Sequence, residues 1–150
     1  MRYFLLLCFL FVCLPVNAWN EKAAETSLQY LNDSVYTSVP SFKQSLYSDY
    51  AEIQKIITLY KTNPSSIKTK EINNFGLACK NRNQNLLNKY EKDFFKPAYI
   101  KYLELDKTLS YEDWKESVAV SETSLFYDFY TFTESNLRDC EKIISRSTSH

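Results

Sequence analysis

Side chains able to do acid–base, nucleophilic or metal chemistry are sparse in this chain. Its one histidine is His150, the last residue, so no His–His or Cys–His arrangement can hold a metal or activate a nucleophile. A single glycine, Gly76, excludes glycine-rich phosphate loops and dinucleotide fingerprints, which need several glycines at fixed spacing. Carboxylates are plentiful, but no pair is marked out by a motif. Asp128 is the most notable acid because it interrupts an aromatic run, and its simplest reading is a helix residue facing water. Asn32-Asp33-Ser34 and Glu112-Asp113 fall short of the spaced oxygen ligands that calcium requires. The sequence therefore predicts no catalytic residue, no metal and no cofactor. Asn32-Asp33-Ser34 does match the N-glycosylation acceptor pattern, whereas proline excludes Asn63-Pro64-Ser65, so Asn32 would carry a glycan in a eukaryotic host.

The four cysteines divide into two pairs. Cys8 and Cys13 lie in the apolar run from Phe4 to Val16, which follows Arg2 and ends in Val16-Asn17-Ala18. A basic residue, a short apolar stretch and small residues at the −3 and −1 positions are the parts of a secretory signal peptide, with cleavage after Ala18. The run is shorter than the ~20 residues that span a bilayer, and Pro15 closes it, so no membrane anchor is expected after cleavage. The expected product, residues 19–150, is one exported domain, extracellular or, in a bacterium, periplasmic. Cys79 and Cys140 remain, and in an oxidising compartment they are expected to form one disulfide.

Aromatic residues are the second anomaly. The chain has 12 Tyr, 10 Phe and 2 Trp, and they crowd at Phe126-Tyr127, Phe129-Tyr130 and Phe132. On a helix, Leu125 to Phe132 would spread apolar rings over more than half the circumference, more than one buried stripe needs. The surplus fits a central helix, a ring-lined pocket for an apolar ligand, or a patch that a protein partner covers. Taking Leu125, Phe129 and Phe132 as the inward stripe puts Phe126 and Tyr130, about 40° apart, on another edge. Phe126, Tyr127 and Tyr130 are therefore the candidate ligand or partner residues.

Helices must position these groups. Apolar residues recur at helical spacing through 20–37 (Ala24, Leu28, Leu31, Val35) and 40–61 (Phe42, Leu46, Tyr50, Ile53, Ile57, Tyr60). Asn63-Pro64-Ser65-Ser66 marks a turn, and Ile72, Phe75, Cys79, Leu86, Tyr90 and Phe94 form the next stripe. Pro97 is expected to interrupt that stripe and open a short segment, while Ser110 caps a last helix running from Trp114 to about Ser145. Ser121–Thr133 is its weakest part and could be read alone as a strand. The prediction is an all-α bundle of four or five helices, with a disulfide joining the third and last.

Charge gives a further exclusion. Lys and Arg number 18 and Asp and Glu 18, so the chain lacks the basic excess of a nucleic-acid binder. It is unevenly placed: residues 61–101 are strongly basic and 102–141 strongly acidic, as expected of segments that pack side by side. Three functional classes remain. The first is a small secreted interaction protein (ligand, inhibitor or effector) without enzymatic activity, the alternative is a carrier of a small apolar ligand, and the third is an enzyme using carboxylates or tyrosine, or a purely structural role. A carrier would enclose several hundred Å³ of apolar space; an interaction protein would show a filled core and an exposed apolar patch.

Overall fold

Helical periodicity over nearly the whole length becomes helix over nearly the whole length. A computed structural model describes residues 20–36 and 38–148, with no strand among them. The leader, its cleavage site and His150 lie outside the described residues. The elements are α1 (Glu21–Tyr36), α2 (Val39–Thr62), a 3-10 turn (Pro64–Ser66), α3 (Thr69–Tyr90), α4 (Lys96–Leu103), α5 (Tyr111–Trp114) and α6 (Phe126–Thr148). A π-turn, Glu91–Phe95, joins α3 to α4, and a second, Lys115–Ala119, extends α5. Counted through these turns there are five helices, as the sequence predicts. No helix among the described residues is long and apolar enough to cross a membrane.

The α3–α4 rod is the spine. Its first half packs on α6, which also packs on α2, and its second half packs on α1. Cys79 and Cys140 bridge α3 and α6 with Cα atoms 5.9 Å apart, so the staple joins the third and last helices. Gly76 lies one turn earlier on α3. A Cβ there would come within 2.8 Å of Ile144 Cγ1, so the only glycine in the chain sits where these helices approach closely. Lys80 pairs with Glu141 across the same interface (3.0 Å), joining the basic and acidic segments.

Buried residues form two clusters. One gathers rings from α2, α3, α4, α5 and α6, including Phe42, Tyr90, Phe95, Tyr102, Trp114 and Phe126. The other surrounds the disulfide with Ile53, Ile56, Ile72 and Ile143.

Pro97 opens the short α4 from its first turn, as expected, and the π-turn before it keeps the rod helical across the junction. The extra residue in that turn shifts the helical phase by one, so the adjacent Phe94 and Phe95 are both buried. One expectation about continuity is corrected: the last helix does not run unbroken from Trp114. The chain leaves helical geometry after Ala119 and re-enters it at Phe126. Ser110 does cap α5, accepting from Asp113 N at 3.2 Å.

Candidate functional site

At two positions of α2 and in the first turns of α6 the inward face lies one residue from the stripe read in the sequence, and a surface groove lies between these helices. On α2 the inward series is Phe42, Leu46, Asp49, Ile53 and Ile56, so Asp49 takes the core position expected of Tyr50. Asp49 is 4% exposed and accepts hydrogen bonds from Arg82 (Nη2, 2.5 Å) and Asn83 (Nδ2, 2.9 Å) of α3, which make its burial tolerable. On α6 the inward series is Phe126, Thr133, Cys140 and Ser147, a heptad repeat, with Asn136 and Ile143 between. Thr133 is fully buried. Its hydroxyl donates to Phe129 O (2.6 Å) and accepts from the Tyr90 hydroxyl (3.1 Å). Asn136 Nδ2 donates to Leu46 O (3.2 Å), tying α6 to α2.

With Asp49 and Thr133 inward, Tyr50 and Phe132 are turned outward. Leu46, Phe129 and Phe132 floor a groove of about 910 Å³ between α2 and the first turns of α6. The groove is open: Tyr36, Tyr47 and Leu125 on its walls are 75%, 60% and 51% exposed. Phe132 is half-buried, with Tyr47 and Tyr50 rings at 5.7 and 5.3 Å. Asn32 Oδ1 accepts from Leu125 N (3.0 Å) and Ser124 Oγ from Phe126 N (3.0 Å), fixing the turn that presents Leu125. Glu122 and Asp128 stand on the α6 side of the rim and Lys43 on the α2 side, none with an ion-pair partner among the described residues.

The predicted candidates are placed elsewhere. Phe126 is fully buried, with Tyr90, Phe95 and Phe94 rings at 4.9, 5.0 and 5.3 Å, so the expectation that it lies on an outer edge is corrected. Tyr127, in the first turn of α6, is half-buried and does not line the groove. Tyr130 is half-buried on another side, its ring 5.6 Å from Phe95 and beneath Lys115 Nζ at 5.2 Å. The stripe assigned to the core, Leu125, Phe129 and Phe132, is the one that lines the groove. Its signal in the sequence is Thr133, whose heptad partners Phe126 and Cys140 define the inward face.

Tyr130 belongs to a polar cluster where the two π-turns meet. Glu91 and Lys115, the first residue of each turn, form an ion pair, and the Tyr111 hydroxyl also donates to Glu91. Burial and the adjacent Glu91 carboxylate push the Tyr111 hydroxyl well above the usual range. Burial raises Tyr130 too, against the opposing pull of the Lys115 ammonium. For Lys115, partial burial lowers the pKa, but the hydrogen bond and charge of Glu91 together with the Tyr130 hydroxyl outweigh that and hold the ammonium charged. All three stay protonated near neutral pH, so none is poised for proton transfer; the cluster locks α5 against the spine. No group of His, Cys, Asp or Glu among the described residues could hold a metal ion.

In comparisons with known proteins the chain matches no family model, no curated protein and no solved structure.

Proposed function

We propose that this is a small exported protein that acts without catalysis, by docking a protein partner in the α2–α6 groove. The observation that carries the reading is that the two most exposed rings among the described residues, Tyr36 and Tyr47, stand together with exposed Leu125 over a buried and half-buried floor. Exposed contiguous aromatic surface on a small domain costs solubility unless something covers it, and tyrosine suits interfaces because it offers area and a hydroxyl together. A carrier is the lesser reading, because a groove with walls this exposed would leave an apolar ligand in contact with water. In a eukaryotic host, a glycan on Asn32 Nδ2 would stand beside Leu125, at one end of the groove.

The test is site-specific photo-crosslinking in the natural secretion, with benzoylphenylalanine at Tyr47 and, as control, at Tyr30 of α1. The reading expects a discrete protein adduct from position 47 and none from position 30. Adducts from position 30 alone, or from neither, overturn it. Native mass spectrometry of the exported protein showing a retained small apolar molecule would favour the carrier.

A further inference from the structure

Resting on the groove reading above, we propose that the occupant is an amphipathic helix of the partner protein, carrying Lys or Arg beside its apolar stripe. The shape comes first. The groove walls are two helices whose lining residues recur at helical spacing, Lys43 and Tyr47 on α2 and Phe129 and Phe132 on α6. A trough between packed helices accepts a third helix at about 8–10 Å between axes. A strand would need an exposed sheet edge to extend, and no strand exists among the described residues. The lining on the α6 side runs from Leu125 to Ser135, about 15 Å at helical rise, which matches roughly ten residues or three turns of a docked helix.

Charge selects the sign. Among the lining residues Glu122 and Asp128 are acidic and Lys43 alone is basic. Both carboxylates are exposed and lack an ion pair among the described residues, so an apolar occupant would partly desolvate them without compensation. A cation on the side of the occupant that faces the start of α6 satisfies them and fixes its direction, while an acidic helix there is repelled. The same acidic rim disfavours an anionic bilayer as the occupant.

The test pans the exported, disulfide-bonded chain against a displayed library of amphipathic helices randomised at the positions flanking the apolar stripe. Enriched helices are expected to carry Lys or Arg at a stripe edge. Their binding should weaken at least ten-fold in Phe132→Ala. It should weaken about five- to ten-fold in the Glu122→Lys/Asp128→Lys double variant and return when the helix carries Glu instead. Circular dichroism confirms that each variant is folded. Helices that depend on Phe132 but show no charge preference would overturn the cationic partner and leave the groove reading standing. No enrichment, or binding indifferent to Phe132→Ala, overturns both.

Discussion

Replacing Phe126 with alanine separates the structure from the sequence reading most sharply, because the two assign this ring opposite roles. The side chain is fully buried and packs against three rings within 5.3 Å, two of them edge to face, with Phe42 further out at 6.5 Å. Truncating a buried phenylalanine costs about 3–5 kcal/mol, and lost edge-to-face pairs place this site toward the upper end. For a domain of about 130 residues, unfolding entropy near the midpoint is roughly 0.28 kcal/mol per degree, so Phe126→Ala should lower Tm by about 15 °C. Tyr47 is 60% exposed and touches Phe132, so Tyr47→Ala should cost under about 1 kcal/mol and move Tm by less than about 4 °C. Urea unfolding followed by circular dichroism, with thermal melts beside it, measures both. If Phe126→Ala costs less than about 2 kcal/mol, or Tyr47→Ala costs as much as Phe126→Ala, the assignment of core and groove is wrong.

Three further outcomes follow from the packing. Removing the Cys79–Cys140 bridge, which spans 61 positions, should cost about 4 kcal/mol in the chain-entropy account, read as a Tm loss near 15 °C in the Cys79→Ala/Cys140→Ala variant. Gly76→Ala should gain about 1 kcal/mol of helix propensity but lose about 1–3 to crowding against Ile144 and Ile143, a net loss of about 1 kcal/mol by urea unfolding. Partial desolvation pushes the Asp106 carboxyl up, but hydrogen bonds from Thr108, Tyr102 and the Asn20 backbone outweigh it and hold its pKa at about 2. Its contribution is present above the ordinary carboxylate pKa and is lost as pH falls from about 4 toward 2, so urea midpoints in that window should fall less steeply in Asp106→Asn.

Helix count, the turn at Pro64, the cap at Ser110 and the disulfide were legible because each is a local signal or a matter of apolar spacing. What was hidden has one physical cause. Stripe reading ranks positions by apolarity, whereas this core accepts polar residues that hydrogen-bond to one another and to the backbone. Asp49, paired with Arg82 and Asn83, displaces Tyr50 outward. Thr133, bonded to Tyr90 and Phe129, puts Phe126 inward and Leu125 and Phe132 outward. Leu125, Phe129 and Phe132 of the expected stripe line the groove, and Tyr50 packs its ring on Phe132 beside it. The π-turns were invisible for a related reason: a one-residue phase slip leaves the residues before and after it in good helical register. The break at 120–125 was covered by an apolar series that happens to continue across it.

The central claim is that this protein meets its partner between α2 and the start of α6, not through its buried rings. The most direct measurement is chemical-shift mapping of the isotopically labelled chain as a selected cationic amphipathic helix is added. Saturable shifts should concentrate in residues 43–50 and 122–135, with the Phe126 and Trp114 environments unchanged and Phe132→Ala abolishing the effect. Shifts centred on the opposite side, around the π-turn residues 91–95 and Tyr130, or scattered without saturation, would contradict it.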